Sequence, residues 1–336
     1  MVQAINNRHG GLVISLDFEL NWGVHDTNSY GQYHQNIYGV RQALPRILAL
    51  FEKYKIHATW ATVGLLFAES KAEMAHYLRC IPVKYEKMQY AAYSQLVKVG
   101  ENEQTDLLHF GQSLIKKIKQ TPYQEIGSHT FSHFYCLENG QTESDFCADL
   151  HATKMITEGY VPPMKSLVFP RNQVNTQYFK ACQEAGFVCY RGNERHSLYA
   201  PQPFTKKSRL LGVMKWLDSY VNLTGQHLLM LEEIQQEPFM NIRASAFLRP
   251  YCRPLHFFEG FKIKRIKESM ETAAKTNTFY HLWWHPHNFG KHIERNLAML
   301  EELLHHYQHL HKRYGFQSYT MYEVATLCQR LHQQQK

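Results

Sequence analysis

Short apolar runs alternate with helical patterns along most of the chain. Gly11-Leu12-Val13-Ile14 with Leu16 predicts a buried strand, and a helix follows from about Gly39 to Tyr54. IHATWATVG and EIGSHT predict further strands, and DFCADLHATKMITEG a helix. SLVFP (strand), NTQYFKACQEAG (helix), FVCYRG (strand) and TFYHLWWHP (strand) continue the rhythm before a long C-terminal helix. Such strand and helix alternation predicts an α/β fold with a parallel sheet or barrel covered on both faces. The interval from about Ala200 to Tyr251 breaks the rhythm and reads as an insertion in a single domain spanning residues 1–336.

Composition narrows the class. At 336 residues, with 44% hydrophobic and 20% charged residues, the chain can fill a core and is neither disordered nor fibrous. It holds no run near the roughly 18 apolar residues that span a bilayer. The seven cysteines are scattered and contain no C-x-x-C pair, so they read as reduced thiols. MVQAINNRHG lacks the apolar core of a secretory signal, so the expected location is cytoplasmic. A net charge of +8 favours an anionic partner, but no nucleic-acid motif accompanies it and no nucleic acid is expected.

Chemistry enters where strands end, because in parallel α/β folds the loops at the C-terminal strand ends build the site. Asp17 and Glu19 stand two apart, so a strand period places them on one side. Trp60 is read as ending a strand, His129 follows EIGS, Arg171 follows LVFP and His285 ends FYHLWW. In SHTFSH, His129 and His133 are four apart, on a helix one face, where two imidazoles can hold one metal; a surface histidine pair is the plainer alternative. His25 and Asp26 follow the acidic pair and either line a pocket or sit in a polar loop. In HLWWHPHNFG, Pro286 puts His285 at the rim, His287 is a candidate substrate contact, and Trp283 and Trp284 offer core or sugar-stacking surface.

In this order, SLDFE, SHTFSH, FPR, LDSY and LWWH resemble the motifs of the polysaccharide deacetylase family, carbohydrate esterases with a NodB-type domain. LPRILALFEKYKIHATWATVG resembles the helix and strand between the first two. The resemblance covers about residues 10–200 and 278–330. It implies a distorted (β/α) barrel of seven strands that hydrolyses N- or O-acetyl groups from sugars with one divalent metal. It assigns Asp17 as catalytic base, Arg171 as the residue orienting that base, His285 as general acid, and His129 and His133 as metal ligands. Many members carry adjacent aspartates; here Asp17-Phe18-Glu19 makes Glu19 the third ligand, directly or through water. Zinc suits the set, with cobalt, nickel or manganese as alternatives. His25, Trp60, Trp284 and His287 are candidate substrate contacts.

Arg243, Arg249, Arg253, Lys262, Lys264, Arg265 and Lys267 gather among aromatics, as a solvated basic face or a phosphate-recognition surface. The expected activity is N-deacetylation of a sugar, on a nucleotide- or lipid-linked precursor of a surface polysaccharide, with peripheral membrane contact. The alternatives are hydrolysis of another amide such as N-formyl, or a non-catalytic carbohydrate- or membrane-binding protein on the same barrel.

Overall fold

A computed structural model describes residues 10–26, 31, 33–203, 206, 208–235 and 239–334. Its strands are β1 (Gly11–Phe18), β2 (Ala58–Thr62), β3 (Gln124–Ser128), β4 (Ser166–Val168), β5 (Cys189–Arg191), β6 (Met240–Asn241), β7 (Ala246–Phe247), β8 (Phe279–Trp284) and β9 (Gln317–Tyr319). The helices are α1 (His34–Tyr54), α2 (Lys71–Leu78), α3 (Gln112–Gln120), α4 (Glu143–Thr157), α5 (Phe179–Glu184), α6 (Arg209–Asp218), α7 (Leu231–Gln235), α8 (Glu259–Thr276), α9 (Ile293–Tyr314) and α10 (Met321–Gln334).

Every paired strand is parallel, in the order β6-β5-β4-β3-β2-β1-β8-β7, with β9 beside β1. β6 and β7 are two ends of one extended segment that joins both edges. On one side Ile242 N–H donates to Tyr190 O (2.9 Å) and Ala244 N–H to Gly192 O (2.9 Å). On the other, Ser245 N–H donates to His281 O and Leu248 N–H to Trp283 O, both at 2.8 Å. Counted as one stave, this segment completes a distorted ring of seven, with β9 outside it. The interval 200–251 is therefore not only inserted chain: its last residues belong to the barrel.

β1 is buried along its whole length because both faces are covered, which is why it reads as an unbroken apolar run. Leu12, Ile14, Leu16 and Phe18 pack outward with Ile37, Leu44, Ile47 and Phe51 of α1. Val13 faces inward with Cys189, Phe279 and, from α10, Met321, Val324 and Cys328, so α10 closes the floor of the barrel. Ser15 and Asp17 share the inward parity of Val13 and lie toward the other end. The polar site is thus built directly above an apolar plug.

Candidate active site

Asp17 is buried and clamped by an arginine from the far side of the ring. Arg191 at the end of β5 donates from Nη1 to Asp17 Oδ1 at 2.6 Å and from Nη2 to Oδ2 at 2.8 Å. Both residues are almost wholly buried. Nη1 also donates to Ser15 Oγ (3.0 Å) and Nη2 to Asn172 Oδ1 (3.0 Å), while the guanidinium lies over the Trp283 ring. Burial alone would raise the Asp17 carboxyl, but Arg191 more than offsets it and holds the acid below its usual range. Asp17 is therefore ionised at neutral pH.

The sequence motifs give this task to Arg171, and the structure corrects that. Arg171 lies beyond β4 in a turn with φ 57°, and its guanidinium is ion-paired with Asp26 and set over the Tyr135 ring. Arg191 instead shares the inward parity of Cys189, two residues earlier on β5, and reaches the barrel axis. An arginine ending an apolar run (FVCYRG) was the available signal.

Glu19 divides its two oxygens between two neighbourhoods. Oε2 lies 3.3 Å from His129 Nε2 and 3.1 Å from His133 Nε2, whereas Oε1 lies 3.4 Å from His285 Nε2. His285 Nε2 is also 3.8 Å from Asp17 Oδ2 and is the most exposed member of the group. A second set, Glu19, His285 and His287, also brings its ligand atoms within 4.8 Å of one another.

The histidine motif does not form the helix its spacing suggests. His129 and His133 lie in a loop after β3, where Thr130 and His133 take φ of 61° and 57°. The loop is held by the buried carboxylate of Asp149 on α4. It accepts from Phe131 N–H (2.6 Å), Ser132 N–H (3.0 Å) and the Ser132 hydroxyl. Both imidazoles are thereby aimed at Glu19.

The donor set fits a divalent cation. His129 Nδ1 faces the Val168 carbonyl at 2.8 Å, and a carbonyl only accepts, so Nδ1 carries the proton. In the neutral ring Nε2 then presents a bare lone pair to a carboxylate oxygen, an arrangement that calls for positive charge between them. An imidazole anchored through its other nitrogen is the usual form of a metal ligand. Burial pushes His133 down to about 4, against the pull of Glu19, leaving it neutral as a ligand must be.

Two neighbours position Glu19. A Cβ on Gly23 would fall 1.9 Å from Glu19 Oε1, so only glycine leaves room for the carboxylate. Gly23→Ala is expected to fold normally but lose roughly ten- to hundredfold in metal affinity, the usual cost of disturbing groups that orient ligands. Calorimetric zinc titration reads this, and an unchanged affinity refutes it.

Asp106 braces the same loop, because it binds His109 Nδ1 at 2.7 Å, and His109 in turn contacts Asn21 and accepts from Trp22 Nε1 at its carbonyl. Burial would raise Asp106, yet the His109 hydrogen bond and backbone N–H donors such as Gly100 hold it at about 2. A depressed acid contributes stability above its ordinary value of 3.8 that is lost as pH falls toward about 2. The stability gap between wild type and Asp106→Asn, read by urea denaturation, should therefore shrink across that window. A gap independent of pH would contradict it.

Three expected substrate contacts are displaced. Trp60 sits mid-strand in β2 on the outer face, fully buried against Phe18 and Phe51, with Nε1 donating to Gln124. Trp284 is likewise core, packed on Phe51 and Phe289. Both point outward because strand parity turns alternate residues away from the axis. His25 stacks on Tyr135 behind His133, its Nδ1 bound to Trp22 O. The cleft itself is lined by Asp17, Glu19, Arg171, Phe247, Arg249, Trp283, His285 and His287, among others. In LDSY, Asp218 is buried outside the cleft, bound to Arg265 and Tyr199.

A family model also matches part of the chain, across residues 34–190. Its description is polysaccharide deacetylase. The resemblance drawn from the motifs is borne out, and the deacetylase fold with it. The match spans the histidine loop and the end of β4 but neither Asp17 and Glu19 nor His285. A candidate polysaccharide deacetylase from Mycobacterium smegmatis superposes with TM-score 0.58 at 13% identity, covering 97% of this chain and 93% of that one. A Streptococcus mutans CE4 esterase gives 0.39 at 11% identity, covering 94% and 87%. A CE4 family pseudoenzyme from Bacillus anthracis gives 0.40 at 13%, covering 95% and 66%. No curated protein matches the sequence.

Proposed function

We propose that the protein is a metal-dependent sugar N-deacetylase. The observation that carries this reading is the convergence of Asp17, clamped by Arg191, with Glu19, His129, His133 and His285 at one end of the barrel. Glu19, His129 and His133 would hold the ion, zinc by donor chemistry with cobalt, nickel or manganese as alternatives. When bound, such an ion supplies a Lewis acid that polarises the amide carbonyl. Asp17, kept ionised by Arg191, takes a proton from the attacking water. His285, at the rim, gives a proton to the departing amine nitrogen as the C–N bond breaks. Trp283 and Phe247 offer apolar wall to a sugar ring.

The substrate in this reading is an N-acetylated glycan precursor carrying phosphate. Of the basic segment, Arg243, Lys264 and Lys267 pair with Glu233, Glu268 and Glu302. Arg249 and Arg265, the latter paired with Asp218, line a cavity that shares residues with the active-site cleft.

Metal content by mass spectrometry, with acetate release from N-acetyl sugars, tests the reading. The wild type should carry about one equivalent, and a His129→Ala, His133→Ala double variant almost none. Asp17→Asn should keep its metal while losing roughly 10²–10⁴ in turnover, the range of a general base. Wild-type turnover by Asp17→Asn would overturn the assignment.

A further inference from the structure

Helix α6 has two faces. Lys215 and Ser219 at its C-terminal end line the cavity that shares Arg171, Asn172, Phe247, Arg249 and Trp283 with the active-site cleft. On the other side Leu210, Val213, Met214 and Leu217 are exposed, and Val221 and Leu223 continue the series. Their spacing of three and four residues makes one stripe, the kind that a soluble domain ordinarily buries. Leu210 is 69% exposed, so here it is not buried.

A second apolar set lies beside the first. Phe257 is 81% exposed, and Phe258 and Phe261 are also open to solvent at the start of α8. The two sets are bolted together. Arg265 of α8 binds the Asp218 carboxylate at 3.0 Å, and Tyr220 donates to Glu259 at 3.2 Å. Exposed apolar side chains gathered on two linked elements mark a docking site.

Charge selects the occupant. Lys206, Arg209 and Arg253 are exposed on these segments. Their acidic residues, Asp218, Glu259 and Glu268, are already engaged, by Arg265, Lys262 and Lys264. The face is therefore apolar with a basic fringe, complementary to anionic lipid. A second copy docking face to face would set the same cations against each other. Inside the adjoining cavity, Lys215 and Arg249 have no carboxylate within 4 Å among the described residues, although Glu194 also lines it.

We propose that α6 and the turn carrying Phe257, Phe258 and Phe261 lay this end of the barrel on an anionic lipid bilayer. The cavity with Lys215 and Arg249 then opens beside the lipid phosphates, and the substrate class becomes an N-acetyl sugar on a lipid phosphate. This rests on the deacetylase reading of the neighbouring cleft.

Co-sedimentation with phosphatidylcholine vesicles, with and without phosphatidylglycerol, provides the test. The full chain should pellet with the anionic vesicles and be released by salt. Val213→Glu with Leu217→Glu should lower binding by about tenfold or more, with an unchanged circular dichroism spectrum. If that variant misfolds, Phe257→Ala with Phe258→Ala should show the same loss. Failure of the wild type to pellet, equal pelleting of the folded variants, or a dimer in light scattering that these substitutions dissolve would each overturn the proposal. A wild type that releases acetate from a soluble N-acetyl sugar yet ignores vesicles defeats the docking face alone. One that binds vesicles as expected but carries no metal and releases no acetate defeats the catalytic reading alone.

Discussion

Arg191→Ala should destabilise the fold by about 3–5 kcal/mol, the cost of stranding one member of a buried ion pair, and lower turnover by roughly a hundredfold or more. Three acceptors depend on this guanidinium: Asp17, Ser15 and Asn172. Because the Asp17 carboxyl sits below its ordinary 3.8, the pair contributes stability above that pH which is lost as pH falls through the folded-state value. Without Arg191, only His129 and His285 oppose burial, and the carboxyl titrates at higher pH. The acid limb of the kcat/KM profile should move upward accordingly. Arg191→Lys retains the charge but not the two-pronged geometry, and should fall between. Arg171→Ala, losing a partly exposed pair with Asp26, should cost less in both stability and rate. Urea denaturation and pH profiles of the three variants decide the matter, and a larger effect from Arg171→Ala would reverse the assignment.

Glu19→Gln is expected to reduce metal affinity by roughly a hundredfold or more, since it removes the anionic ligand and leaves two neutral imidazoles. Burial would raise Glu19, but His285, then His129 and His133, outweigh it and keep the carboxylate charged. An amide in the same place can still hydrogen-bond, so the fold should survive. Metal content after dialysis, compared with the wild type, reads the effect directly. Retention of a full equivalent would show that the histidines hold the ion with some other acid.

The acidic pair, the histidine motif and His285 were legible because each combines a residue type with a position just past a predicted strand. Their roles remain proposals, but their convergence is geometric. What local sequence conceals is direction. A strand covered on both faces is apolar at every position, so nothing in ATWAT or FYHLWW separates a residue aimed at the axis from one aimed at a helix. Trp60 and Trp284 were misplaced for that reason, and Trp283, one residue away, faces the cleft. Arg191 was hidden by the same ambiguity, since an arginine closing an apolar run looks like the strand meeting solvent. The helix expected across SHTFSH failed for another cause: Asp149, on a later helix, supplies a long-range anchor that local spacing cannot reveal.

The position of β1 also bears on how the chain assembles. Its flank partners are β8 along one side and, on the other, β2 with β9 beside its first residues, so its neighbours come from opposite ends of the sequence. During synthesis β1 can pair early with β2, but its other edge must wait until nearly the whole polypeptide has emerged. Contacts of such long sequence separation are slow to form and leave a sheet edge open meanwhile. Here the waiting edge carries Ser15 and Asp17 between its apolar residues, and inward-pointing polar groups discourage a foreign strand from adding there. The Asp17 carboxylate thus sits on the strand whose second edge is completed last.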